Sequence, residues 1–273
     1  MRVSLTGDRR YDPADRLVQV VNPEYVPGGP GWETGGVRTY AQYCPIVRAV
    51  EVLGERWTLL IVREMLVGRR RFNDLIRGLP GLSRALLARR LRQMQAAGLV
   101  TRAADGGYDL TAAGEDLRPV VFGLADWGAR HAFGDPRPDE LDPEVLMWWL
   151  HDRIDASEVT RRAVVQVEVP DHRRVFWLVI EPGDASVCYT DPGFEVDAVL
   201  TSDLATLYRM WAGEIDLLDA VKAGTIGLTG PRWIAAGLPR WLQLSPIAPI
   251  VRAARAEGAP RADGADHAAK AAG

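Results

Sequence analysis

Residues 68–102 read GRRRFNDLIRGLPGLSRALLARRLRQMQAAGLVTR. The pattern predicts a short helix, a turn, a second helix rich in arginine and the start of a strand. In Phe72–Gly78 the apolar residues Phe72, Leu75 and Ile76 fall inward, and Leu79-Pro80-Gly81 makes the turn. Ser83 suits an N-cap, because its hydroxyl can accept from an unpaired backbone N–H. From Arg84 to Ala97, the residues Leu87, Leu91 and Met94 recur at i, i+4 and i+7, a core-facing stripe. Gly98 stands where glycine favours helix termination. A basic helix that opens on serine and rests on an apolar platform is the layout of a helix-turn-helix that reads DNA.

The opposite side of the second helix carries Arg84, Ala85, Ala88, Arg89 and Arg92. Small residues between long cations let a helix approach a groove while arginines reach base edges or phosphates. Ser83 and these five are therefore expected to face double-stranded DNA. Arg69, Arg70, Arg71 and Arg102 are expected to contact phosphates and position the protein. Local charge agrees: residues 41–102 hold twelve Arg, no Lys and four acids, net +8, whereas the whole chain is −3. Residues 136–273 hold 14 basic and 21 acidic side chains, net −7. The positive charge is concentrated where a polyanion would dock.

Upstream, Pro45–Leu53 and Trp57–Val67 are expected helices, the first opened by Cys44-Pro45, with proline at a favoured first position. Downstream, Leu99–Arg102 and Tyr108–Leu110 flank Asp105-Gly106, a hairpin signal that turns the unit into a winged helix. Thr111 is expected to cap one helix through His131. Its apolar residues exceed what a small domain needs, which fits either a dimer contact or packing on its own N-terminal helix.

Cys44-Pro45, Leu53-Gly54-Glu55-Arg56-Trp57, Gly68 with Arg71-Phe72-Asn73-Asp74-Leu75, Leu82-Ser83, Arg90-Leu91, Gly98-Leu99-Val100 with Arg102, and Leu110-Thr111 with Gly114 together resemble the HxlR-type winged-helix regulators. The likeness runs in order over about ninety residues. It implies a homodimeric DNA-binding transcription regulator. The wing is short, which weakens the case for a minor-groove role at its tip. The resemblance also implies that Cys44 could sense oxidants or electrophiles. A thiol at a helix N-terminus can have a lowered pKa. The other reading is a small, half-buried capping residue, favoured because no second cysteine is near in sequence.

The block from about 140 to 250 opens with a helix at Asp142-Pro143-Glu144. Strands at 163–169, 175–180, 186–189 and 198–201 follow. Helices at 202–213 and 216–223, a strand at 226–228 and a last helix from Pro231 to about 243 complete it. The expected class is α+β: a winged helix, then a layered sheet with helices. Asp197–Thr201, Leu207, Trp211–Glu214 and Asp219–Gly230 are similar to sterol-carrier-protein-like domains. That likeness implies an apolar tunnel, and some such domains bind lipids or sterols. Six of the nine Trp lie here. Each alone is best read as core, but Trp148, Trp177, Met210, Trp211 and Trp233 together are candidates to line a cavity for a small apolar effector.

The expected organisation is an arm at 1–37, a winged helix at 38–133, a linker at 134–141, the second block at 142–250 and a disordered tail at 251–273. No apolar run is long enough to span a membrane. With no signal-peptide core and two distant cysteines, the cytoplasm is expected. Lys only at 222 and 270, with abundant Ala, Gly and Pro, suggests a GC-rich bacterial genome. His131, His151, His172 and His267 are scattered, with no zinc spacing, P-loop or GxSxG, so no enzyme, metal or cofactor is expected. The rival reading is a lipid- or metabolite-binding protein whose winged helix mediates protein contacts. The net +8 of the helix-turn-helix segment argues against it.

Overall fold

A computed structural model of the chain describes residues 40–258. The expected arm at 1–37 and residues 259–273 of the expected tail lie outside the described residues.

The N-terminal block runs α1 (Pro45–Leu53), α2 (Thr58–Leu66), α3 (Phe72–Gly78), α4 (Arg84–Ala96), β1 (Val100–Arg102), β2 (Tyr108–Leu110), α5 (Ala112–Glu115) and α6 (Arg118–His131). Its core is Ile61 and Val62 of α2, Leu75 of α3, and Leu87, Leu91 and Met94 of α4. These are the inward positions of the expected stripes. The two strands pair antiparallel, Thr101 opposite Asp109, and Gly106 takes the left-handed conformation the tight turn needs. Thr111 does cap a helix, its Oγ accepting from Gly114 N–H at 3.2 Å. The single helix expected from 111 to 131 is instead two, α5 and α6. Pro119 has no N–H to continue a hydrogen-bond ladder, but suits the first turn of a new helix.

The second block runs α7 (Pro143–His151), β3 (Ala163–Val169), β4 (Arg174–Glu181), β5 (Asp184–Cys188), β6 (Ala198–Thr201), α8 (Leu204–Ala212), α9 (Leu217–Ala223), β7 (Gly227–Thr229), α10 (Arg232–Trp241) and α11 (Ala248–Ala256). The sheet order is β5-β4-β3-β6-β7, with β3 and β6 parallel and the other pairs antiparallel. Strand alternation puts Val165, Val167, Phe176, Leu178, Ile180 and Leu200 into one core with α7, α8, α9 and α10.

α11 corrects the expected tail. The chain stays helical to Ala256, and Val251 and Ala254 bury themselves against Ala129 of α6. Arg130 of α6 pairs with Glu257, and Arg255 donates to the carbonyl of Phe133 at 2.9 Å. The end of the second block is thus fastened back onto the first.

Candidate nucleic-acid interface

Helix α4 is positioned from both ends. Ser83 Oγ accepts from Leu86 N–H at 3.2 Å, and Leu87, Leu91 and Met94 anchor the inner face. Arg90, between them, is also buried. It pairs with Glu55 and donates to Gln93 at 2.7 Å. The outer face presents Ser83, Arg84, Ala85, Arg89 and Arg92 exposed and Ala88 half-buried. Arg84 leans back on α3, with its guanidinium 3.0 Å from Asn73 Oδ1 and 5.1 Å above the Phe72 ring. Among the described residues, Arg89 and Arg92 hold no ion-pair partner.

The flanking arginines separate. Arg71 is the exposed N-cap residue of α3. Arg70 is exposed but pairs with Asp109 of the wing at 2.5 Å. The Asp109 carboxylate holds the Arg70 guanidinium above its ordinary pKa. Arg102 sits on β1, 4.4 Å over the Tyr108 ring. Arg69 departs from expectation. It is only 9% exposed. Its guanidinium pairs with Glu64, reaches Asp152 at 3.0 Å and covers the Trp148 ring at 4.5 Å. Left-handed Gly68 turns the chain inward there, so Arg69 is a structural ion-pair residue rather than one offered to phosphates. The wing tip carries Asp105, whose carboxyl is held below the usual range, chiefly by the Gly107 N–H. An ionised carboxylate at the tip repels phosphate.

Asn73 was missed as a candidate. Its place in the Arg71–Leu75 run was visible, but its bond to Arg84 is a contact between helices.

Cys44 is the half-buried N-cap of α1, and its thiol makes no capping hydrogen bond. The five residues expected to line an effector cavity do not converge. Trp177 pairs with Gln166 on the face of the sheet away from the helices. Met210 is 1% exposed within the core. Trp148 lies under Arg69, and Trp233 lies under Arg161 at 4.0 Å. Only Trp211 of the five borders the large cavity, which lies between the two blocks. Trp149, its stacking partner, was not singled out.

A winged helix whose second helix shows an arginine-rich outer face is a DNA-reading architecture. The family model and the sequence relatives agree. The HxlR-like helix-turn-helix family model matches residues 52–135. The chain is 43% identical over 132 residues to an HTH-type transcriptional regulator of Mycobacterium tuberculosis, covering 41% of this chain and 81% of that protein. It is 34% identical over 108 residues to one from Synechocystis, covering 36% of this chain and 76% of that protein. Among solved structures, quinone-bound YodB from B. subtilis matches at 31% identity and TM-score 0.29, over 31% of this chain and 96% of that one. The chain belongs to the HxlR family of helix-turn-helix transcriptional regulators. No helix among the described residues is long and apolar enough to cross a membrane.

Proposed function

We propose that this protein binds operator DNA as a homodimer through the outer face of α4, and that its C-terminal block, of the sterol-carrier type, makes that binding responsive to a small molecule. The observation that carries the DNA reading is the pair Arg89 and Arg92, exposed beside Ala85 and Ala88 and engaged by no carboxylate among the described residues. Ser83, Arg84, Ala85, Ala88, Arg89 and Arg92 face the groove. Arg70, Arg71 and Arg102 contact phosphates, Arg70 by exchanging Asp109 for a phosphate oxygen.

Dimerisation is supported by apolar surface that stays exposed among the described residues. No residue of α1 is buried, Ile46 is 73% exposed, and Trp127 of α6 is 59% exposed. Monomers seldom leave such surface to water. Two copies would set their recognition helices in successive major grooves, about 34 Å apart. The sterol-carrier assignment is supported by the five-stranded mixed sheet with helices on one face.

The test is fluorescence anisotropy with the DNA upstream of the protein's own gene, at two salt concentrations and against random DNA. Tight, selective, salt-sensitive binding is expected. Equal affinity for any DNA would overturn operator recognition and favour the winged helix as a protein-contact module.

A further inference from the structure

We infer that the cleft between the winged helix and the C-terminal block is a binding site for a small, largely apolar carboxylate. This deepens the effector reading above and rests on it only for the effect on DNA. The cleft encloses about 590 Å³, within the roughly 300–1,000 Å³ of small-molecule pockets. The winged helix supplies one wall, including Leu66 and Phe122, and the C-terminal block the other, built on Trp149, Tyr208 and Trp211. The Trp149 and Trp211 rings stack at 6.3 Å and 18°, and Tyr208 meets Trp149 edge-on at 6.2 Å. Such a wall suits a flat ring or a hydrocarbon chain.

The polar atoms define the rest of the ligand. Four buried N–H donors on this lining have no acceptor among the described residues: the Nε of Arg69, Arg153 and Arg209, and Trp149 Nε1. Buried donors are nearly always paired. Four such side chains on one lining make its polar side one of donors.

Charge singles out one of these residues. Every carboxylate on the lining already holds an arginine: Glu64 with Arg63 and Arg69, Asp152 with Arg69, Asp135 with Arg209, Glu140 with Arg137, and Glu214 with Arg255. Arg153 holds no carboxylate among the described residues. It is the arginine of the lining with no counter-charge among the described residues, so a ligand carboxylate gives it one and a neutral ligand does not. Leu60 and Leu124 also border the cleft and are 40% and 51% exposed.

The test is isothermal titration calorimetry on the full chain without DNA, with 2-naphthoate, decanoate and the neutral 2-naphthalenemethanol as probes. At least one carboxylate should bind one per chain and quench tryptophan fluorescence, with the alcohol roughly tenfold or more weaker, as loss of a charge-assisted contact implies. Arg153→Gln should abolish that preference for the acid. Val67→Trp, filling the cleft from the winged-helix side, should block every probe. Binding of neither carboxylate, an unchanged acid preference in Arg153→Gln, or undiminished binding in Val67→Trp would each overturn the site. Binding that holds while DNA affinity is unmoved leaves the site standing and removes its effector role.

Discussion

The Arg69 guanidinium lies 3.0 Å from Asp152, across the junction between the winged helix and the C-terminal block, while it also pairs with buried Glu64. Glu64 is 2% exposed. Gly78 of α3 makes room for the pair, since a Cβ there would collide with the Glu64 carboxylate. Helix α2, the segment after it and the end of α7 therefore share one ion-pair cluster, with Gly78 of α3 packed against it. The next two arginines in the sequence face solvent.

Arg69→Ala strips Glu64 of one partner and leaves Arg63, 2.5 Å away, as the other. Breaking one side of a buried pair should cost about 3 kcal/mol. The urea midpoint should fall accordingly, and adding Glu64→Gln should recover much of the loss. An unchanged midpoint in Arg69→Ala would show the cluster to be energetically idle.

Asp109→Asn should free Arg70 for phosphate. Affinity for random DNA should rise, because Arg70 reaches its phosphate without first giving up a carboxylate. A salt titration by anisotropy checks this. Unchanged or weaker binding at every salt concentration would place Arg70 outside the DNA footprint.

Trp127→Glu puts a charge on the exposed apolar face of α6. Sedimentation equilibrium should then find a monomer, and a palindromic operator should be bound far more weakly while the fold is kept. A dimer that survives the substitution would move the subunit contact elsewhere.

Asp203 caps α8, accepting from Thr206 N–H at 2.8 Å. Burial pushes its carboxyl up, but the Thr206 hydroxyl and N–H outweigh that and hold it below its ordinary 3.8. A group depressed in the folded state stabilises fully above its unfolded pKa and loses that contribution as pH falls through the folded value. Asp203→Ala should therefore cost about 1 kcal/mol at neutral pH. The gap between variant and wild type should narrow below pH 3.8. Urea melts across the acid range check it. A gap that is flat with pH would contradict the carboxylate cap.

Much of this was legible in residue order. The stripe Leu87, Leu91, Met94 and the cap Ser83 fix α4 locally, and the structure keeps them. Arg69 was misread because local pattern cannot distinguish a solvated arginine from one whose partner is Asp152, 83 residues on. α11 was missed because its buried positions include small alanines, Ala248 and Ala254, which carry little hydrophobic signal. Trp177 was grouped with Met210 although strand alternation with Phe176 and Leu178 sets it on the other face, a signal that could have been used. The cleft was out of reach, because its walls come from helices that meet only in the folded chain.

The central claim is that the outer face of α4 reads DNA. The direct measurement is the salt dependence and sequence preference of binding, by anisotropy, for wild type, Arg89→Ala and Arg92→Ala. The account predicts that each variant loses either about one unit of salt slope, as a phosphate contact would, or about 1–3 kcal/mol of discrimination, as a base contact would. If both variants bind operator and random DNA as the wild type does, α4 is not the reading helix.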